Sequence, residues 1–593
     1  DVLTGGLGDD ILRGGLGNDI YIINRGDGHD LIDESAFAVT DGGVTTTEYG
    51  ADDFAMETQT AWSGGKNSHA YEVNVWVSDS RTGAKINALE GGDDVLQFGN
   101  WIDISDLIVN SNGTDATSDL IIELQPVTED GEITDSVTID NWGTPEFRVE
   151  TIRFSNGFVL DVSNIGYATT GYETDNVITT AGVTLTSGDG AWLSGGAGND
   201  TLTGSAAADI LMGGVGNDRL EGGKGNDTYV FGRGDGADTI NDTGSTAVGS
   251  SYDPGGDKLL FGVGITIEDL ILQKDGTAMT IYVADDQNMS VPLTELTDVV
   301  TVENWSNAGN RIELLQFFNG LDFDVSEIAN TYLGADVTGP TATDTPVDDT
   351  LNGSSLADWM DGFLGNDVLN GNAGNDFMFG RDGNDTLNGG NGDDIMTGGA
   401  DNDVLNGGNG NDVMTGGADD DVLNGDGGND VMMGGTGNDT LNGGAGNDLL
   451  VGDVGDDLII ASAGQDQIRF GFGDGHDTYQ GNVAFRNTDV IVFEDNIAAE
   501  DIWFERLDNT LVVRLHGADD TFTFENWYVG DNPSANVQGF AAGGEWLSYA
   551  QVNTLVDAMQ EYVLEINDGT TAYGILPGET PESVLTAIES AWV

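Results

Sequence analysis

The sequence predicts an all-β chain in which blocks of parallel β-solenoid alternate with β-rich capping domains, ending in a short helical tail. Three observations carry that expectation. From Asp344 to Arg469 the chain divides without a gap into fourteen nonapeptides, such as GGTGNDTLN at 434–442. The eighth position alternates Leu and Met for eleven repeats, from Leu351 and Met360 to Met432 and Leu441. Three further stretches read as alternating apolar runs broken by turn residues, the pattern of strands and hairpins.

Within the nonapeptides the sixth position is always Asp: Asp349, Asp358, Asp367, Asp376, Asp385, Asp394, Asp403, Asp412, Asp421, Asp430, Asp439, Asp448, Asp457 and Asp466. The same unit recurs near the start, with Asp1, Asp10 and Asp19, and again with Asp200, Asp209, Asp218 and Asp227. The ninth position carries Asn352, Asn370, Asn388, Asn406, Asn424 and Asn442, every eighteen residues. Two nonapeptides therefore form one physical unit, a coil of a two-sided parallel solenoid. Each x-U-x tripeptide is expected to be a short strand with its central side chain inward, so that a Leu ladder faces a Met ladder. Each GGxGxD is expected to be a turn, where glycine adopts positive φ at little cost. The Asn column reads as a structural ladder. Seven such coils stack to roughly 34 Å at about 4.8 Å per strand.

Charge raises the question of what holds this together. The 593 residues include 103 acidic and 18 basic side chains, a formal charge of −85, with 91 glycines and no cysteine. Such a chain repels nucleic acid and anionic membrane and attracts cations. It has no thiol chemistry, and no apolar run approaches the roughly 18–20 residues that span a bilayer. In a stacked coil, Asp367, Asp385, Asp403 and Asp421 would stand about 4.8 Å apart, where neighbouring carboxylates repel by about 1 kcal/mol even in water. A core one side chain thick does not offset a column of such repulsions together with the ordering entropy of glycine. Calcium fits the need, being hard and taking six to eight oxygens from carboxylates and carbonyls alike; magnesium holds its waters and demands octahedral geometry.

These nonapeptides resemble the RTX (repeats-in-toxin, haemolysin-type) calcium-binding repeats, closely over 344–469, well over 195–230 and partly over 1–22. The resemblance implies a β-roll in which each calcium lies between turns of successive coils, held by Asp side chains and turn carbonyls. It implies that Asp367 with Asp385 serves one edge and Asp376 with Asp394 the other, and it extends to the sixth-position aspartates of all three blocks. Two turns depart from the pattern. Their fourth positions are Leu356 and Ala207, so weak or absent binding is expected there. Asp401 and Asp419 also replace that Gly, but Asp tolerates left-handed backbone better.

Each block ends in a similar signature: INRGDGHDLID (23–33), FGRGDGADTIND (231–242) and FGFGDGHDTYQ (470–480). Strand-like runs follow, then VTIDNW (137–142), VTVENW (300–305) and FTFENW (522–527). Two copies continue into an Asn-Gly hairpin, ETIRFSNGFVLDV (150–162) and IELLQFFNGLDFDV (312–325); the third ends differently, in VQGFAAGGEWL (537–547). These modules are similar to the calcium-binding-related domains that accompany RTX blocks, and their expected task is to cap an otherwise open strand edge. Asp27, Asp30, Asp235, Asp238, Asp474 and Asp477 are candidates to extend the calcium ladder or merely to cap it. The RGD triplets at Arg25–Asp27 and Arg233–Asp235 are explained by the turn rather than by receptor recognition.

The expected organisation is a partial repeat block at 1–22 and a first cap at 23–170 with an insertion near 35–92. A second block at 171–230, clear from 195, precedes a second cap and linker at 231–342. A third block at 343–469 is followed by a third cap at 470–556 and a tail at 557–593. In the tail, Val552, Leu555, Val556, Met559 and Val563 have helical spacing, and a second helix is expected from Thr580 and Pro581. The tail looks similar to the C-terminal signal of type I secretion substrates.

No catalytic constellation is legible. His29 and His476 sit in the cap turns, His69 and His516 have no paired motif, and HExxH, GxSxG and a P-loop are missing from the sequence. Since Asp1 falls inside a repeat unit, the chain is expected to be the C-terminal part of something longer. Two functions compete. One is a secreted structural module of an adhesin, surface layer or filament, with calcium ions, the type I secretion machinery and copies of itself or a cell-surface or matrix component as partners. The other is the export and folding module of a secreted enzyme or toxin. Several blocks in series favour the first.

Overall fold

In the computed structural model, the residues described are 158–240, 256–284, 293–334, 347–480, 489–528 and 537–566 with few gaps, together with short strands before residue 158 and Ile588, Ala591 and Trp592. They fall into two compact units, divided at Ser326/Glu327 apart from a short excursion at 287–295.

The C-terminal unit is built on two eleven-stranded sheets. The repeats supply the parallel part of both. Strand Val404–Asn409 pairs in register with Thr386–Asn391, placing Leu405 on Leu387, while Val413–Ala418 pairs with Ile395–Ala400, placing Met414 on Met396. Leu and Met thus occupy opposite sheets, one residue per coil, and from Met360 to Ile468 every eighth-position side chain is essentially excluded from water. The Asn column is present as well: the Asn388 amide donates to Asn370, Asn406 to Asn388 and Asn424 to Asn406, each at 3.0 Å.

The strands are longer than the expected tripeptide. Most cover six residues, positions seven to three of the next repeat, so the GGxGxD hexapeptide is half strand and only its last three residues turn. The ladder breaks at position one and resumes at position two, as in Asn388↔Asn406 followed by Gly390↔Gly408. Positive φ at position two makes this offset, at Gly408 (108°) and also at Asn372 (75°) and Arg381 (84°). Arg381 reaches back to donate to both oxygens of the buried Asp361, at 3.1 and 2.8 Å, where Trp359 stacks on Phe377 at 5.4 Å.

Both sheets run on into the cap without interruption. Gln467–Phe470 pairs with Asp489–Phe493, which in turn pairs with Val537–Ala542; His476–Tyr479 pairs with Thr521–Phe524, and there the parallel run stops against the hairpin Ile502–Leu507/Thr510–Leu515. The third module does end in a hairpin, Val537–Ala542 with Glu545–Ser548, turning on Gly543 and Gly544 at positive φ. Two adjacent glycines supply the turn that Asn-Gly supplies elsewhere. Phe470, Phe493, Phe522, Phe524 and Phe540 thicken the core where the Leu and Met ladders stop. The helix spans Tyr549–Ile566, crossing the expected boundary at 556/557, and buries Val552, Leu555, Val556 and Met559 in the same core. No helix among the described residues is long and apolar enough to cross a membrane.

The N-terminal unit repeats this plan on two seven-stranded sheets. Its parallel run starts at Ile165–Thr170, ahead of the recognisable repeats, and passes through Gly190–Ala197, Ile210–Val215 and Thr228–Phe231 to Lys258–Phe261 and Leu314–Phe317. The expected hairpin closes it, Leu314–Phe317 against Asp322–Asp324, with Gly320 at φ 86°. Nearer the N terminus Val2–Thr4 pairs parallel with Ile20–Ile22, eighteen residues on, and that sheet also ends in a hairpin, Thr151–Arg153 against Val159–Asp161. Of the insertion near 35–92, the hairpin Ala38–Asp41/Val44–Thr47 and the strand Ala84–Ile86 are described.

Candidate metal centre

At each turn the sixth-position aspartate is held by the coil before it. The main-chain N–H of Asp367 donates to Oδ1 of Asp385 at 2.7 Å, Asp385 to Asp403 at 2.7 Å and Asp403 to Asp421 at 2.7 Å. On the other edge Asp376 donates to Asp394 and Asp394 to Asp412, at 2.8 and 2.9 Å. The expected columns exist, one per edge, from Asp349 to Asp457 and from Asp358 to Asp466. A second ladder runs beside them in the opposite sense: the N–H of Asn402 donates to Asn384, and that of Asn411 to Asp393, both eighteen residues earlier.

These carboxylates are buried, and in Asp376, Asp385, Asp394, Asp403, Asp412, Asp421, Asp430, Asp439, Asp448, Asp457 and Asp466 the second oxygen, Oδ2, has no hydrogen-bond donor in the protein. Burial pushes Asp403 up to about 8, against the N–H of Asp385 and helped by repulsion from Asp385 and Asp421. Asp394, Asp457 and Asp466 rise to about 8 and Asp385, Asp421 and Asp430 to about 7, again mainly through burial. A buried carboxylate with an unsatisfied oxygen is costly.

The turn leaves room for what would satisfy it. A Cβ placed on Gly398 would collide with Oδ2 of Asp403 and with the carbonyl oxygen of Gly416, and Gly389 stands likewise to Asp394 and Gly407. Position one must be glycine because carboxylate and carbonyl oxygens converge on that space. Among the described residues no three His, Cys, Asp or Glu side chains gather into a metal-binding cluster; the donors are a carboxylate column with main-chain carbonyls. That all-oxygen set fits calcium. When bound, calcium would neutralise the columns and bridge successive coils.

The columns continue into the caps. Asp457 donates to Asp477 at 3.0 Å and Asp466 to Asp489 at 3.2 Å. In the N-terminal unit Asp200 donates to Asp218 at 2.6 Å, Asp218 to Asp238 at 2.9 Å, Asp209 to Asp227 at 2.8 Å and Asp227 to Asp257 at 2.8 Å. Asp238 and Asp477 therefore continue the hydrogen-bonded columns. Asp489 and Asp257 are additional members, not apparent in the sequence because they stand 23 and 30 residues on rather than eighteen. Asp235 and Asp474 each close their own turn by accepting an N–H, from Gly232 and Gly471. Arg233 of the second RGD triplet is occupied internally, donating to the Gly264 and Ala284 carbonyls and pairing with Asp269 at 2.8 Å. Asp1, Asp10, Asp19, Asp27 and Asp30 lie outside the described residues, as do Trp62 and His69.

Comparison with known families agrees with this geometry. A model described as the RTX calcium-binding nonapeptide repeat (4 copies) matches residues 1–21, overlapping stretches from 186 to 240, and overlapping stretches from 345 to 479. A second, the haemolysin-type calcium binding protein related domain, matches 106–164, within the first cap. Among solved structures, the extracellular lipase LipA from Serratia marcescens is similar at 14% identity and a TM-score of 0.14 over 58% of this chain, which spans 42% of that lipase chain.

Proposed function

We propose that the chain, whose repeat blocks match the RTX calcium-binding nonapeptide repeat and whose first cap matches the haemolysin-type calcium binding protein related domain, is an exported structural module. On this reading its blocks become rigid on loading calcium outside the cell, as part of an adhesin, surface-layer or filament protein. The sixth-position aspartates of the columns are its ligands, with Asp238, Asp477, Asp257 and Asp489 closing the ladders at the caps. The observation that carries the reading is serial closure. In each unit a parallel run of coils passes directly into a cap and ends in antiparallel hairpins. Repeated closed blocks build load-bearing length, whereas export alone needs one.

Single-molecule stretching of the full chain tests this. In calcium, separate force-resistant events are expected from the two units, and chelator should remove them. A chain that extends without resistance in calcium would count against the structural role and favour the export-module reading.

A further inference from the structure

The two turns that depart from the nonapeptide pattern share a sequence, G-S-x-x-A-D, at 204–209 and 353–358. They also share a geometry. Ser354 donates its N–H to Oδ2 of Asp358 at 2.6 Å, its hydroxyl lies 3.3 Å from Oδ1, and the Leu356 N–H donates to that hydroxyl at 3.1 Å. Ser205 does the same: N–H to Oδ2 of Asp209 at 2.6 Å, hydroxyl to Oδ1 at 3.1 Å, with the Ala207 N–H on the hydroxyl at 3.1 Å. Oδ1 receives a further donor in each, the Asn330 side chain at 2.8 Å and the Ala191 N–H at 2.6 Å. Both carboxylates are buried, and neither has an oxygen without a donor.

The cause is local. Position two has positive φ at Gly196, Gly214 and Gly223 and from Phe363 to Ser462, including Asn372, Arg381 and Asp426, but not at Ser205 or Ser354. Both also differ at position four, where Leu356 and Ala207 replace the glycine or aspartate that is left-handed in most other turns, for example Gly392 at 138° and Asp401 at 72°. A residue with a Cβ resists that conformation. Position five is Ala357 or Ala208, which offers no acceptor for the second ladder. The turn takes another course and swings the serine N–H onto the carboxylate, at the oxygen left bare in the regular turns.

From this we infer that the Asp209 and Asp358 turns take no calcium, and that the serine amide and hydroxyl stand where the ion would bind. These two aspartates leave the ligand set. Each turn lies near the start of its block, so on one edge each block begins with a turn that holds its shape without metal and offers the next coil a formed turn. The inference rests on the regular turns being calcium sites.

The test counts ions bound by the full chain at saturating calcium, by titration calorimetry and elemental analysis, with circular dichroism as the check on folding. Restoring the pattern with Ser354→Gly, Leu356→Gly and Ala357→Asn should add one or two ions. A folded variant with an unchanged count overturns the inference. The converse change, Gly408→Ser, Gly410→Leu and Asn411→Ala in the turn of Asp412, should remove one or two ions while the β signal in calcium persists. An unchanged count there also overturns it. A parent chain that binds no calcium would instead sink the reading of the columns.

Discussion

The N–H of Asp385 donates to Oδ1 of Asp403 at 2.7 Å, and Oδ2 of the same carboxylate is buried with no donor in the protein. One oxygen of the side chain thus fixes the spacing of the coils, and on the proposed reading the other is a calcium ligand. Removing it should cost both. Asp403→Ala is expected to lower the calcium count by one or two, on the edge carrying Asp385 and Asp421, and to leave the Asp394–Asp412 edge close to intact. Calorimetric titration reads the number, and hydrogen exchange reads the edge. A loss shared by both edges would contradict the coil geometry.

The core is one side chain thick, so its tolerance is set by shape. Met396→Leu and Met414→Leu, each buried between like neighbours, keep volume and should cost less than about 1.5 kcal/mol apiece. Leu405→Asp places a charge among apolar neighbours with no counter-ion and should break the block locally. Calcium-dependent circular dichroism that survives Leu405→Asp would show that position eight does not face inward.

Much of this could be read from the residues. The Leu/Met alternation gave two sheets because only a two-repeat coil places Leu405 over Leu387. The aspartate columns followed from the same period. What the spacing hid was whatever broke it. Asp489 and Asp257 enter the columns after loops of irregular length, so periodicity could not reach them. The strands outran the tripeptide because the backbone stays paired through a positive-φ residue at position two, and composition alone marks that residue as a turn. The serine turns were visible as departures at Leu356 and Ala207, but the N–H that replaces the missing ligand belongs to the main chain and leaves no trace in residue type.

The cap shares its core with the last coil. Phe470 stacks on Phe522 at 5.1 Å, and Phe522 meets Phe524 at 4.9 Å. Phe522→Ala should therefore cost about 3–5 kcal/mol, as for other buried aromatic truncations, and deletion of 470–593 should impair folding of 344–469 even in calcium. Denaturant titration in calcium checks the first. A truncated chain that melts as cooperatively as the parent would show that the block closes its own end.

Acidity should compete with calcium. Burial raises carboxyls of the columns in the folded, metal-free protein, for instance Asp412 to about 6, Asp421 to about 7 and Asp403 to about 8, whereas an unfolded Asp titrates near 3.9. The folded state then binds more protons than the unfolded one, so metal-free stability is fully present below about pH 4 and is lost as pH rises through about 8. In chelator, structure should be greater at pH 5 than at pH 8. Calcium must displace those protons, so its half-saturating concentration should fall from pH 6 to pH 7.5. A half-saturation that does not move across that interval would mean the columns are already ionised.

Charge and folding meet in the last expectation. At −85, and with column carboxylates stacked one per coil, the blocks are unfavourable without a counter-ion at neutral pH. A chain that stays expanded where calcium is scarce suits passage through a narrow exporter. Where calcium is plentiful, each ion bound only by the folded state adds RT ln(1 + [L]/Kd), about 2.7 kcal/mol at a hundredfold excess over Kd. A few such sites together match the roughly 5–15 kcal/mol of an ordinary domain, so loading and folding become one cooperative event. Small-angle scattering of the full chain at neutral pH should show a compact particle in calcium, an expanded one in chelator, and no compaction in millimolar magnesium, which resists dehydration. Compaction in chelator would separate folding from calcium and remove the physical basis for coupling it to export.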